Sequence, residues 1–180
     1  TAEDGSKTEY TITFIQESCP ATAPVTSEIA NVSVCVGDAA TLVANFSNES
    51  YEAVWYDVET AGSALKTGTE FSVEKLTEGI HSYYVAKNDG TCESANRLEV
   101  MVTVNPLPTP EILGLAENYC ADADAVDLSA SVAGGKFSLG GATITSFNPA
   151  TATIGSNTIE YIVTDKNGCS GSASQTVTII

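Results

Sequence analysis

Three aspartates in the segment ADADAVD form the densest acidic group of the sequence. Asp122, Asp124 and Asp127 come shortly after Cys120, and carboxylate oxygens gathered in one loop are ligands that a hard cation such as calcium prefers. The segment lacks the glycine and the distal glutamate of an EF-hand loop. We therefore expect a solvated loop, with no metal bound. A calcium site is the alternative, and it would need residues 165–167 to fold over the loop.

His81 is the single histidine of the chain. A Ser/His/Asp triad would have to use it, and no GxSxG nucleophile motif is present. Its place directly before SYYV is typical of a surface residue at the start of a strand. The 23 acidic residues could supply the carboxylate pair of a glycosidase, but no pair stands in a cleft-like context. We predict that the chain has no catalytic residues, is not an enzyme and binds no cofactor.

Aromatic residues in the segment SYEAVWYD could stack on sugar rings. Trp55 and Tyr56 are adjacent, and successive side chains of a strand alternate, so at least one of them must face outward. Three carboxylates flank them: Glu49, Glu52 and Asp57. An outward tyrosine reflects either ordinary β-propensity or a glycan-binding surface that Tyr56→Ala would destroy. Trp55 is expected to fill the core, with Phe137 in the corresponding place of the second half.

The five cysteines are widely spaced and include no CxxC pair, so the usual spacing of zinc and iron–sulfur ligands is missing. They are Cys19, Cys35, Cys92, Cys120 and Cys169. Widely spaced cysteines in a β-rich chain favour disulfides, which form and persist in oxidising compartments. We therefore predict a secreted or cell-surface protein.

The charge balance excludes several classes of partner. The chain has 23 acidic residues against 7 basic ones, a net charge of −16, which repels nucleic acid and anionic lipid. No run approaches the roughly 18 apolar residues of a membrane span, and the start lacks the charged and apolar regions of a signal peptide. We expect an excised or mature piece of a longer protein, without nucleic-acid binding or membrane insertion.

Short runs rich in Val, Ile, Thr and Tyr alternate with clusters of Gly, Asn and Asp, which predicts an all-β fold. In the first half, the predicted strands are 10–15, 39–46, 53–57, 70–73, 82–87 and 98–104. In the second half, they are 126–132, 135–138, 143–147, 158–164 and 174–180.

An internal repeat indicates two related units. The segment YVAKNDGTC (84–92) aligns without a gap with YIVTDKNGC (161–169), and each unit has a further cysteine before its second strand. The repeat predicts one disulfide in each unit, Cys35 with Cys92 and Cys120 with Cys169, and no bond between units. Cys19 then either belongs to a preceding repeat whose remainder is missing or is a free thiol.

The segment VNPLPTPEI marks the boundary between the units. Its prolines, Pro106, Pro108 and Pro110, cannot donate to a strand ladder and favour an extended, semi-rigid spacer. We place the first domain at 31–105, the linker at 106–111 and the second domain at 112–180. Residues 1–30 are then the end of a preceding repeat or N-terminal strands.

Several segments of the two units resemble known repeats. CVGDAATLVA, VWYD, HSYYVAKNDGTCESA and VTVNPLPTP resemble the Ig-like repeats of very large secreted surface proteins of Bacteroidetes, including gliding-motility adhesins. Residues 117–180 are similar to the Ig-like or PKD-like repeats that accompany them. The resemblance implies two tandem immunoglobulin-like β-sandwiches. The cysteines fall before a strand and inside a turn, so the disulfides should lie at the domain ends rather than around a core tryptophan.

The resemblance also implies a function. Such repeats are exported, often with a C-terminal sorting domain of the type IX pathway, which this sequence does not contain. The chain is expected to be a structural or adhesive module that acts as a rigid spacer or a binding surface, and neighbouring repeats and a surface protein or glycan are its expected partners. The alternative function is a carbohydrate-binding accessory module of a secreted polysaccharide-degrading enzyme.

Overall fold

The computed structural model describes Cys19, residues 21–48 and residues 50–180. The predicted strand 10–15 and Glu49 lie outside the described residues. The described part is built from β-strands and one 3-10 turn, Pro149–Thr151. None of its helices is long and apolar enough to cross a membrane.

Seven strands form the first half: β1 (Val32–Cys35), β2 (Ala40–Val43), β3 (Glu52–Tyr56), β4 (Lys66–Thr67), β5 (Glu70–Val73), β6 (Gly79–Asn88) and β7 (Leu98–Asn105). Nine more form the second half: β8 (Ile112–Leu113), β9 (Asn118–Tyr119), β10 (Val126–Asp127), β11 (Ser129–Ala130), β12 (Lys136–Leu139), β13 (Ala142–Ile144), β14 (Ser146–Phe147), β15 (Gly155–Thr164) and β16 (Ser170–Ile179).

The first sandwich has one sheet in the order β1-β7-β6-β3-β4, and β2 pairs with β5 in a second sheet. Alternation along β7 buries Val100, Val102 and Val104 in a core that contains the fully buried Trp55. The indole Nε1 donates to the carbonyl of Gly68 at 2.9 Å, which satisfies the one polar atom of the ring. Trp55 therefore fills this core, as its sequence context predicts.

The second sandwich repeats this order of strands. Its main sheet runs β9-β16-β15-β12-β13, and the short pairs β10–β14 and β8–β11 face it. Its core is centred on Phe147, Ile159, Val177 and Ile179. Phe137 packs against this cluster and is paired with a residue of β15, as Trp55 is paired with a residue of β6. The predicted correspondence of Phe137 and Trp55 is confirmed.

The sequence missed four short strands, β1, β4, β8 and β9, of which β1 and β9 are the parallel edge strands of the two main sheets. β1 runs parallel to β7, and β9 runs parallel to β16. With four and two residues, they are too short to show a period of two. The longer predictions within the described residues are confirmed within a few residues, except that 126–132 is divided into β10 and β11 and 143–147 into β13 and β14.

The two hairpins that the sequence repeat aligns differ by one residue. The amide of Asp89 donates to the carbonyl of Cys92, whereas the amide of Asp165 donates to that of Cys169, one position further on. Asp89 therefore corresponds to Asp165, and the buried Val85 corresponds to the buried Tyr161. The gapless alignment is wrong by one residue in the strands, where such a shift would turn every inward side chain outward.

Candidate functional site

The cysteines are paired across the predicted boundaries of the repeats. Cys19 is bonded to Cys92, Cys35 is bonded to Cys169, and Cys120 is a free, exposed thiol. The predicted pairs Cys35–Cys92 and Cys120–Cys169 are wrong, and so is the expectation that no disulfide joins the two units. The disulfides do lie at the ends of the sandwiches, away from the core tryptophan.

Strand length explains why the predicted pairs cannot form. Cys35 lies opposite Asn105, at the end of β7, while Cys92 precedes the start of β7. Eight residues of β7 span roughly 26 Å, and a disulfide needs Cα atoms within about 7 Å. In the second sandwich, Cys169 precedes the start of β16, whereas Cys120 comes directly after the residue paired with the last position of that strand.

The Cys35–Cys169 bond joins the sandwiches on either side of the proline linker. On the first sandwich, the amide of Val36 donates to the carbonyl of Asn105 at 2.9 Å. The Asn105 side chain donates to the hydroxyl of Ser33 and the carbonyl of Val34. The Cys35 end of β1 is therefore fixed beside the residue where β7 enters the linker.

On the second sandwich, a short turn holds Cys169. The Asp165 carboxylate accepts hydrogen bonds from the amides of Asn167 and Cys169, each at 2.9 Å. Asp89 makes the same turn in the first sandwich, where it accepts from Thr91 and Cys92. Bonds from the Thr91 hydroxyl and amide and from the Cys92 amide hold the pKa of Asp89 below its ordinary 3.8.

The linker itself lies against the second sandwich. A Cβ atom added at Gly171 would overlap the carbonyl group of Pro108. Gly171 is the second residue of β16, two positions beyond Cys169, so glycine allows the proline spacer to approach the start of this strand. The disulfide and this backbone contact hold the junction at two neighbouring points.

A buried ion pair lies near the other disulfide. Lys87 Nζ donates to Glu28 Oε1 at 2.6 Å, and the two side chains are only 8% and 13% exposed. The rings of Phe46 and Tyr51 lie 5.0 and 5.6 Å from the ammonium group. Burial raises the pKa of Glu28, but the Lys87 and Val25 hydrogen bonds and the Lys87 charge outweigh it, so the pKa is below the ordinary value of 4.5.

The aromatic pair of the sequence supplies no stacking platform. Trp55 is fully buried and Tyr56 is 4% exposed. The Tyr56 hydroxyl donates to Glu93 at 2.6 Å, and the guanidinium of Arg97 lies 3.2 Å from the ring centroid. Burial first, and then the Glu93 contact, raise the pKa of Tyr56. Tyr56 is therefore a packing residue on the outer face of its sheet. A carbohydrate-binding role stays a prediction, and Tyr56 is too buried to stack on a sugar ring.

The three candidate metal ligands Asp122, Asp124 and Asp127 are exposed. In the described part of the chain, the group of His, Cys, Asp or Glu side chains close enough to hold an ion is Cys19, Asp89 and Cys92, and its two sulfurs are already bonded to each other. Closure of residues 165–167 over the aspartates depended on a bond between Cys120 and Cys169 that does not form. The expectation that no metal binds stays a prediction.

His81 lies in β6, where it is half-buried. Its Nε2 donates to the carbonyl of Thr77 at 2.7 Å, so this hydrogen bond goes to the backbone and not to a nucleophile. The structure thus gives the single histidine a local structural contact near the start of its strand.

Comparison with known proteins gives a family match over the first sandwich. Residues 20–106 match the family model described as "Ig-like domain CHU_C associated". This match supports an Ig-like repeat in the first half of the chain. No curated protein sequence matches the chain.

Solved structures resemble the chain in fold. The fibronectin(III)-like modules of Clostridium thermocellum CbhA share 18% identity at a TM-score of 0.41, over 86% of this chain and 90% of theirs. The Bacteroides ovatus SGBP-B of a mixed-linkage glucan utilization locus, in complex with a mixed-linkage heptasaccharide, shares 18% identity at a TM-score of 0.33, over 96% of this chain and 48% of its own. Titin domains Z1Z2, in complex with telethonin, share 15% identity at 0.35, over 85% and 92%.

The two β-sandwiches and the family match over residues 20–106 confirm the fold prediction: the chain is all-β and consists of tandem immunoglobulin-like sandwiches. Domains of the Ig-like and fibronectin(III)-like classes are generally non-catalytic, and their fold alone does not assign a role. The boundaries placed at residues 31, 106 and 112 stay a prediction.

Proposed function

We propose that the chain is a structural and adhesive module of an exported cell-surface protein of the Bacteroidetes type, in which the paired sandwiches act as a stiffened spacer. The observation that carries this proposal is the Cys35–Cys169 bond across the proline linker. A spacer works by fixing the distance between the domains on its two sides, and a bond that crosses the flexible point of a two-domain chain serves this purpose.

The direction of the strands supports a head-to-tail arrangement. In each sandwich, the hairpin with its cysteine lies at one end of the main sheet and the parallel edge strand lies at the other. The exit end of the first sandwich, at Cys35, is bonded to the hairpin end of the second, at Cys169. Successive domains joined in this way extend in a line along the direction of their strands.

Two further properties support surface exposure. Disulfides persist in oxidising compartments, and the chain has two. A net charge of −16 keeps a surface protein from binding polyanions and from associating with its own copies. The sequence resemblance to repeats of Bacteroidetes surface proteins agrees with both properties, and a non-enzymatic role is consistent with the proposed spacer.

Small-angle X-ray scattering of matched variants tests the spacer. We expect Cys35→Ser/Cys169→Ser to broaden the distribution of distances between the sandwiches, because only the linker and its contact at Gly171 then hold the junction. The control is Cys19→Ser/Cys92→Ser, which also removes one disulfide but not the one that crosses the linker. Equal distance distributions in the wild type and the Cys35→Ser/Cys169→Ser variant would contradict the proposal.

A further inference from the structure

We propose that Cys120 is a covalent docking site for a further Ig-like repeat, whose hairpin cysteine forms a disulfide with it. This inference rests on the proposed function and deepens it, because it assigns the partner that the second sandwich takes at its exit end. The partner is defined by its chemistry: a β-hairpin in which an aspartate-centred turn presents a cysteine, as in the two hairpins of this chain.

The first argument is the equivalence of Cys120 and Cys35. Each cysteine lies at the end of the parallel edge strand of its main sheet. The residue after Cys35 donates its amide to the carbonyl of Asn105 at 2.9 Å, and the residue after Cys120 donates to that of Ile180 at 3.1 Å. The carbonyl groups of both cysteines accept an amide three residues further on, each at 3.0 Å. Cys120 thus occupies the position from which Cys35 bonds the second sandwich.

The second argument is the behaviour of the hairpin cysteines. Cys92 and Cys169 occupy corresponding turns, and both are bonded to a cysteine outside their own sandwich strands. Cys92 is bonded to Cys19, which precedes β1, and Cys169 is bonded across the linker. In both bonds, the hairpin cysteine is joined to a cysteine that comes earlier in the chain. By the same rule, the partner of Cys120 is a hairpin cysteine of a repeat that comes later.

The third argument is the distance from Cys120 to the other sulfurs. All five cysteines lie in the described part of the chain, and the other four are used in the two bonds. Cys169 is separated from Cys120 by the ten residues of β16, roughly 33 Å. Cys120 is exposed, so its thiol is accessible to a further sandwich that docks at this end.

The bond forms by thiol–disulfide exchange with a small disulfide oxidant such as oxidised glutathione. The Cys120 thiolate attacks one glutathione sulfur and releases a glutathione thiolate. The thiolate of the incoming hairpin cysteine then attacks the Cys120 sulfur of the mixed disulfide and releases the second glutathione. Two cysteine thiols lose two protons and two electrons, and one glutathione disulfide becomes two glutathione thiols.

A three-sandwich chain tests the docking site. Residues 106–180 are duplicated after Ile180, so that the appended Pro106 is joined to Ile180 as the native Pro106 is joined to Asn105. After oxidation with glutathione disulfide, peptide mass mapping without reduction is expected to show Cys120 bonded to Cys169 of the appended repeat. The native Cys35–Cys169 bond in the same map reports that the original pair is folded. In the Cys120→Ser form of this chain, Cys169 of the appended repeat should remain reactive to iodoacetamide before oxidation and carry glutathione after it.

A mixture of two full chains tests the same bond without the appended repeat. Cys35→Ser/Cys120→Ser frees Cys169 and removes the variant's own Cys120, and we expect oxidation of this variant with the wild type to give a dimer linked from Cys120 of the wild type to the freed Cys169. Cys120→Ser in the wild-type partner should abolish that link. If both experiments end in glutathione adducts of Cys120 and no cross-link, the docking site is overturned. The scattering test of the junction uses other residues, so the spacer function survives or fails separately.

Discussion

At the scale of single residues, the most unusual feature is a charged pair placed where the other repeat is apolar. Lys87 and Val163 occupy corresponding positions once the one-residue shift between the hairpins is applied, and both are buried. Valine needs no partner, whereas a buried ammonium group must be paired and hydrogen-bonded. Glu28 supplies that partner from the segment before β1, so the ion pair attaches this segment to the end of the first sandwich near Cys19–Cys92.

Glu28→Gln is expected to destabilise the first sandwich by about 1.5–3 kcal/mol, the typical contribution of a hydrogen bond to a charged group. The glutamine leaves the Lys87 charge half-enclosed by Phe46 and Tyr51 with no counter-charge. Urea unfolding measures the loss. The exposed Glu59→Gln is the control and should have little effect. Adding Lys87→Met to Glu28→Gln should restore part of the stability, because it removes the unpaired charge; a further loss would show that the pair is not the cause.

The same carboxylate predicts a dependence on pH. The pKa of Glu28 in the folded chain lies below its ordinary value of 4.5, so the unfolded chain binds the proton more readily than the folded one. The stabilisation is present above the ordinary value and is lost as the pH falls through the folded pKa. Thermal melts between pH 7 and about pH 3 should show a smaller decline for Glu28→Gln than for the wild type. The pKa of Asp89 is also lowered, so part of the decline in melting temperature remains in both the wild type and Glu28→Gln.

At the scale of strands and turns, the sequence predicts interior elements well and edges poorly. Burial alternates along the eight residues of β7 and the ten residues of β15, whereas β1 and β9 are recognisable only when paired. The cysteine pairing failed for the same reason. The repeat correctly matches Cys35 with Cys120, but only the parallel pairing of β1 with β7 reveals that Cys35 lies at the end opposite the hairpin.

The candidate site could be inferred in part from the sequence. Pro106, Pro108 and Pro110 predict an extended linker, and residues 106–110 carry no strand or helix. The close approach of Gly171 to this segment has no local signal, because it depends on how two distant parts of the chain pack. The burial of Tyr56 on the outer face of its sheet also has no local signal. It depends on Glu93 and Arg97, which come from the loop after β6 and cover the ring.

Gly171→Ala is expected to disturb the junction through this contact. The added methyl group would overlap the Pro108 carbonyl, and overpacking of this kind costs about 1–3 kcal/mol unless the backbone moves. The linker should therefore become a better substrate for limited proteolysis, and the second sandwich should melt at a lower temperature. Ser172→Ala, at the exposed neighbouring position, is the matched control. Unchanged proteolysis of the linker in Gly171→Ala would mean that Pro108 can shift without consequence.

At the scale of the whole molecule, the two cores are separate while the covalent structure is continuous. The first core draws its residues from Ile29 to Val104 and the second from Ile112 to Ile179. A disulfide between separate cores does not merge them; it restricts how they move relative to each other. The pair therefore has two separate cores and one covalent bond across the linker, in agreement with the proposed spacer.

Cleavage of the linker tests the separate cores and the covalent bond between them independently. In the oxidised chain, a protease site inserted between Pro106 and Pro110 should yield two fragments that stay joined by Cys35–Cys169, so a non-reducing gel shows one band and a reducing gel shows two. In Cys35→Ser/Cys169→Ser, the same cut should release two fragments that each retain β-sheet circular dichroism and unfold cooperatively, because each keeps its own core. The uncut variant should melt at the same temperatures as its fragments if few contacts cross the linker. Loss of cooperative unfolding in either released fragment would show instead that the sandwiches depend on each other for stability and that the domain boundary lies elsewhere.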